Sequence, residues 1–209
     1  MKKILFMMAT AFVLMTTGCN MYNTWDDGLP ELEHVYIIGL FKTNLFTDFL
    51  SYEIAQNGDT RWRFGGNATS GTWETTDEQW VATIPLQFHS ERVRTYDAVS
   101  YFWVYNLDGS SLTAGADYTV TLDNGAVLTP NANGAYSLTW PQAKKGIQNV
   151  KIKRSSTSPN GTLRLNLYDP DKPIPLATDP SSAIQNKTAE FEIRCMTFDN
   201  DRVTITFTE

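Results

Sequence analysis

Apolar and polar residues alternate one by one along most of this chain, the period of a strand with one buried face. In "QWVATIPLQF", Ala82, Ile84, Leu86 and Phe88 fall on one side and Val81, Thr83, Pro85 and Gln87 on the other. In "NVKIKR", Val150 and Ile152 oppose Lys151 and Lys153, and in "TLRLNLY", Leu163, Leu165 and Leu167 oppose Arg164 and Asn166. "HVYIIGLF" is a continuous apolar run, "AVSYFWVYN" is rich in aromatics, and "AYSLTW" alternates. Asp123-Asn124-Gly125 is a tight-turn signal between two short strands. The end of the chain predicts a closing hairpin, with Phe191, Ile193 and Cys195 on one face, a turn at Asn200-Asp201, and Val203, Ile205 and Phe207 returning. No window of helical length keeps a period of about 3.6 residues. Short strands separated by turn signals predict an all-β, antiparallel immunoglobulin-like sandwich over residues 33–209, elaborated toward its N-terminal side. The proline-rich "YDPDKPIPLATDPSS" reads as a long loop crossing that sandwich, because the strands after it are too few to fold alone.

The first residues break the pattern. Lys2 and Lys3 precede a mostly apolar run, Ile4 to Met15, and then the small residues Thr16, Thr17 and Gly18. Charge, length and cleavage-site size fit a secretory signal over residues 1–18, too short to span a bilayer. Gly18-Cys19 resembles the lipobox of bacterial lipoproteins, although Thr16 stands where that family usually has Leu. The resemblance implies cleavage before Cys19 and acylation of its thiol, and several acyl chains on one residue anchor stably where one would not. Residues 19–32, with Gly28 and Pro30, then read as a flexible tether. In Bacteroidota lipoproteins, acidic residues just after the cysteine accompany export to the cell surface; here Asp26 and Asp27 come a few positions later. The expected location is the outer membrane, at the cell surface or on its periplasmic face.

The formal charge of −6, from 23 acidic against 17 basic residues, argues against nucleic-acid partners. With Cys19 acylated, Cys195 is the one remaining thiol, so the fold depends on its core and on no disulfide. On its alternating strand Cys195 reads as a small buried hydrophobe.

The order "AGADYTVTLDNGAVL", "YSLTWPQAKKGIQNVKIK", "NGTLRLNLYDP" resembles the Calx-beta-like and related immunoglobulin-like domains of Bacteroidota lipoproteins encoded beside Sus-type glycan importers. Those domains share a small-small-Asp-Tyr start, here Ala116, Asp117 and Tyr118, and the likeness covers roughly residues 80–170 and the closing segment. It implies an accessory protein of polysaccharide uptake that holds a poly- or oligosaccharide beside an importer, non-catalytically and without a cofactor.

Two stretches carry rings suited to that role. In "AVSYFWVYN", Phe102 and Val104 make the plainer core face, which turns Tyr101, Trp103 and Tyr105 outward as a row. Flat rings pack on the apolar faces of sugars, and their polar tips bond hydroxyls. The alternative is that Trp103 is the buried tryptophan between the sheets of an immunoglobulin-like sandwich. The second stretch, "RWRFGGNATSGTWETTDEQW", crowds Trp62, Trp73 and Trp80 with Arg61, Arg63 and Asn67, either as a binding loop or as a hairpin capping the core. Gln87 is a further hydrogen-bonding candidate, and Trp140 reads as packing.

Catalytic signals are thin. No nucleophile elbow is present, and the neighbours His89, Ser90 and Glu91 are not how a triad is assembled. A glycosidase would need two carboxylates facing each other near the tryptophans. Asp169 with Asp171, and Asp199 with Asp201, alternate as calcium ligands do but read better as turns. The rival class is a structural or adhesive surface subunit acting through protein–protein contacts, by way of an exposed sheet edge.

Overall fold

The computed structural model describes residues 34–40, 50–64, 71–171, 184–195 and 201–209. The expected leader and tether, Cys19, Asn67, Asp199 and Asn200 lie outside the described residues. The strands are β1 (Val35–Leu40), β2 (Leu50–Ile54), β3 (Thr60–Phe64), β4 (Glu74–Thr75), β5 (Val81–His89), β6 (Ala98–Leu107), β7 (Tyr118–Leu122), β8 (Ala135–Trp140), β9 (Gly146–Arg154), β10 (Gly161–Asn166), β11 (Ile184–Lys187), β12 (Glu192–Cys195) and β13 (Arg202–Phe207). One 3-10 turn, Pro141–Ala143, follows β8. The strands form a six-stranded sheet, β11-β12-β1-β5-β9-β7, and a seven-stranded sheet, β4-β3-β2-β13-β10-β6-β8. Tyr36–Glu209 is one compact unit. The chain is therefore an all-β sandwich, with β2 to β4 extending the seven-stranded sheet beyond β13.

Two features depart from the sequence reading. First, β2 and β13 pair in parallel, Leu50 beside Val203 and Ile54 beside Phe207, so the sheet is mixed. Second, the closing segment is not a hairpin. β12 belongs to the six-stranded sheet and β13 to the seven-stranded one. Alternation shows which side of each strand is buried, and Phe191, Ile193, Cys195, Val203, Ile205 and Phe207 are all buried as expected. It does not say which sheet each strand joins. The Pro-rich segment does cross: it leads from β10 in one sheet to β11 in the other, with residues 172–183 outside the described ones. Asp123-Asn124-Gly125 makes its turn, with Gly125 at φ 80° and its N–H donating to Leu122 at 2.9 Å.

The core is built from the inward residues of both sheets, Ile38, Ile84, Leu86, Val150 and Ile152 from one and Leu50, Ile54, Phe102, Leu163, Leu165 and Ile205 from the other. The buried inter-sheet tryptophan is Trp140, not Trp103. Its ring stacks on Phe88 at 4.9 Å and 12°, and its Nε1 donates to the buried Ser100 hydroxyl at 2.8 Å. Polar links tie the layers as well. The Tyr52 hydroxyl donates to the Thr83 carbonyl. From β11, the Gln185 carbonyl accepts the Tyr101 N–H at 2.8 Å, and Asn186 Nδ2 donates to the Val99 carbonyl at 2.6 Å. These side-chain amides satisfy the edge of β6 beyond the reach of β10, which pairs with β6 no further than Asn166 opposite Trp103.

The free edge of β8 is blunted at both ends. Ala135 donates to Asn131 Oδ1 and accepts the Asn131 N–H, while Gln148 Nε2 donates to the Thr139 carbonyl at 2.8 Å. Little ladder is left there for another chain to extend, as soluble sheets commonly ensure.

Candidate functional site

Strand β6 sets the first part of the site. Ala98, Ser100 and Phe102 face the core and are fully buried, so the alternate residues Tyr101, Trp103 and Tyr105 stand on the outer face of the seven-stranded sheet, each half-buried. The Tyr101 and Trp103 rings lie 6.5 Å apart, tilted by 52°. Across the ladder Trp103 pairs with Asn166 and Tyr105 with Arg164, and β10 in turn places Asn166 beside Arg202 on β13. Asn166 Nδ2 donates to the Tyr105 hydroxyl at 2.8 Å, which fixes the phenol beside the indole. The result is a row of rings flanked by a guanidinium and an amide, on a rigid sheet.

The same outer face carries a second cluster four strands away, on β3. Arg61 and Arg63 point outward there, and their guanidiniums lie 4.8 and 4.4 Å from the centroid of the Trp73 ring. Arg61 Nε also donates to Glu53 at 2.7 Å. Cation–π contact already occupies this ring, which makes Trp73 a packed member of a surface cluster. At about 4.8 Å per strand the two ring groups sit roughly 19 Å apart.

The remaining tryptophans go elsewhere. Trp80 packs on the turn at Gly58, so closely that a Cβ at Gly58 would come 2.4 Å from the indole nitrogen. Its backbone is left-handed at φ 68°, its N–H donates to the Gly58 carbonyl, and its carbonyl accepts the Arg154 N–H. Trp80 is therefore placed as packing that locks this turn to the start of β5. Trp62 faces the opposite way from Arg61 and Arg63, edge-on to Phe64 at 4.9 Å, at the mouth of a cleft of about 360 Å³. Gln87 stands on the outer face of the six-stranded sheet, paired with Ile147 and away from both ring groups.

That cleft is the part sequence reasoning missed. Its polar lining includes Asp77, Glu78, Thr83, Asp123, Asn149 and Lys151. Lys151 Nζ donates to Glu78 Oε1 at 2.7 Å and lies 3.4 Å from Asp123 Oδ1. The Thr83 hydroxyl donates to Glu78 Oε2 at 2.6 Å, and Asn149 Nδ2 donates to Asp123 Oδ2 at 2.7 Å. Hydrogen bonds from Lys151 and Thr83 hold the Glu78 carboxyl below its ordinary range, and the bond to Glu78 raises Lys151. Three carboxylates, Asp77, Glu78 and Asp123, thus line the cleft, and Glu78 is held toward its ionised form, the reverse of what a general acid requires.

Cys195 is buried, and desolvation lifts its thiol to about 12, so it is inert at neutral pH. Asp169 accepts the Asp171 N–H at 3.0 Å, the geometry of a turn. Among the described residues no cluster of three or more His, Cys, Asp or Glu is arranged to hold a metal ion. Likewise, no described helix is long and apolar enough to cross a membrane.

No family model matches the chain, and no curated protein matches it. Among solved structures it is similar to a two-domain protein of unknown function from Bacteroides fragilis, with a TM-score of 0.38 and 6% identity over 87% of this chain and 48% of that one. The chain thus spans about half the length of that structure. The Calx-beta-like resemblance and the link to an importer rest on the sequence pattern alone.

Proposed function

We propose that this protein is a non-catalytic saccharide-binding lipoprotein, anchored to the outer membrane through Cys19, that presents the outer face of its seven-stranded sheet to a glycan chain and serves a glycan importer. The observation that carries the reading is the row Tyr101, Trp103 and Tyr105, turned outward while Phe102 fills the core. A row of half-exposed rings on a flat, hydrogen-bonded sheet costs solubility unless something stacks on it. Arg164, at the register position opposite Tyr105, supplies a donor beside the rings, while the fully buried Asn166 holds the Tyr105 hydroxyl in place.

The test is affinity electrophoresis and tryptophan fluorescence of the full chain in detergent, against plant and host polysaccharides. One glycan should retard the protein saturably, and Trp103→Ala or Tyr101→Ala should remove at least a tenfold share of that affinity with the protein still folded and its melting temperature lowered by no more than about 4 °C. Absence of retardation across the panel, or retardation that Trp103→Ala leaves intact, would remove the face from consideration. The anchor is checked separately: radiolabelled palmitate should enter the wild type expressed in a bacterium and not Cys19→Ala, and equal labelling of both would sink it.

A further inference from the structure

The geometry points to a second saccharide subsite, separate from the ring row, in the cleft at Trp62: it would take a single uncharged sugar ring and reject acidic ones. It shares with the proposed function only the premise that the ligand is a saccharide.

The cleft is lined by groups drawn from separate stretches of chain. Trp62 comes from β3, Glu78 from the segment before β5, Asp123 from the turn after β7, and Asn149 and Lys151 from β9. The pairing of β5 with β9 sets Thr83 opposite Lys151, and the pairing of β7 with β9 sets Thr121 opposite Lys151, next to Asp123. Glu78, Thr83, Lys151, Asp123 and Asn149 then form one hydrogen-bonded chain, so their positions are fixed before any ligand arrives. Beside them the half-buried Trp62, edge-on to Phe64, completes the lining, and the cleft's volume of about 360 Å³ sits at the low end for small-ligand sites.

The chemistry of the lining selects the class. A sugar hydroxyl both donates and accepts. This cleft offers acceptors on Glu78, Asp123 and Asp77, donors on Lys151 and Asn149, and a flat apolar ring against which a sugar's C–H face can stack. Three carboxylates against one ammonium leave the lining negative, which opposes a uronate or phosphate. An ammonium ligand would meet Lys151 at the centre. The hydroxyls of a neutral ring can meet acceptors and donors alike.

The test uses the full chain in detergent, with cellobiose and chitobiose as neutral probes and digalacturonate as the acidic one, followed by calorimetry and by fluorescence. A neutral disaccharide should bind saturably, and digalacturonate should bind at least tenfold more weakly. Trp62→Leu, which keeps apolar contact with Phe64 but removes the flat ring, and Asp123→Asn should each weaken the neutral probe at least tenfold. Trp103→Ala should leave it unchanged, so failure of the outer face and failure of the cleft give different patterns. Asp77→Asn, at an exposed position outside the bonded chain, guards against loss of fold and should weaken binding two- to fivefold. No binding by either neutral disaccharide would overturn the subsite. So would binding indifferent to Trp62→Leu and Asp123→Asn, or digalacturonate binding as well as the neutral probes.

Discussion

Strand β9 carries three cations, and two of them, Lys151 and Arg154, occupy opposite environments. Lys151 points outward into the cleft, where two carboxylates meet it and its side chain keeps 23% of its surface exposed. Arg154 points inward at the end of the strand, is 2% exposed, and pairs with no carboxylate among the described residues. Instead its guanidinium donates to the carbonyls of Ile54, Thr208 and Ser158 and to Asn160 Oδ1, and lies 5.1 Å from the centre of the Phe207 ring. Ile54 ends β2 and Thr208 directly follows β13, its parallel partner, so Arg154 closes the ends of both from across the sandwich. Burial lowers its pKa, yet it stays charged, as guanidinium does in proteins. A cation tied to backbone carbonyls is a structural clamp. One tied to surface carboxylates is an adjustable part of a binding surface.

Breaking the clamp should give the largest effect. Arg154→Met would take a donor from four acceptors, of which the Ile54 carbonyl keeps the Thr208 N–H and Asn160 is exposed, at roughly 1 to 3 kcal/mol for each left with no partner where water cannot reach. A net loss near 3 kcal/mol is expected, which for a domain of this size lowers the melting temperature by roughly 6 to 12 °C. Arg154→Lys should recover only part of it, since an ammonium lacks the planar fork. Thermal unfolding of the three proteins decides the matter, and a Met variant that melts with the wild type would show that the four bonds contribute nothing net.

A smaller effect sharpens the contrast at another buried polar contact. Trp140→Phe removes the donor to Ser100 and part of the ring stacked on Phe88. Ser100 is fully buried, so its hydroxyl loses a partner water cannot replace. The expected cost is about 2 kcal/mol, read as a shift of the urea midpoint at constant slope. Trp103→Ala, three residues from Ser100 on the neighbouring strand but facing outward, should cost less than half as much. Equal losses would mean that Trp103 is a core residue after all.

The same contrast marks what the sequence could disclose. Alternation identified the strands and their inward faces correctly in β5, β9, β10 and β13, because a strand's two sides differ whatever it pairs with. It offered Tyr101, Trp103 and Tyr105 as an outward row but left open whether Trp103 was core, which the burial of its neighbour Phe102 decides. Arg154 was legible in principle: it shares inward parity with Val150 and Ile152, and a charge in that position demands buried partners. The cleft was not, because Trp62, Glu78, Asp123 and Lys151 are brought together by strand register, which no local spacing encodes. The closing strands were misjoined for a related reason: parity is local, whereas sheet membership is set by pairing with strands distant in sequence.

The smallest effect belongs to Lys151. Its partner Glu78 leaves 49% of its side chain exposed, so solvent screens the pair, and Lys151→Met should cost no more than about 1 kcal/mol. The pH dependence separates it from the clamp. Glu78 is depressed in the folded protein, chiefly by the hydrogen bond from Lys151, so its contribution is present above the ordinary carboxylate pKa and disappears as pH falls through the folded value. Lys151 is raised, chiefly by the bond to Glu78, so its contribution is whole below the ordinary lysine pKa and disappears as pH rises through the folded value. Between those limits the Lys151→Met difference should be flat, and it should shrink toward pH 4 and below as Glu78 takes up its proton. It should also fall with added salt, because exposed charges are screened. The Arg154→Met difference should respond to neither across the same range, since carbonyl acceptors do not titrate. Urea midpoints for the two variants and wild type at pH 4 and pH 7, each at low and high salt, contain both comparisons. A Lys151→Met difference that held constant from pH 7 to pH 4 would show that the ion pair contributes nothing, and that Lys151 serves the cleft only by its position.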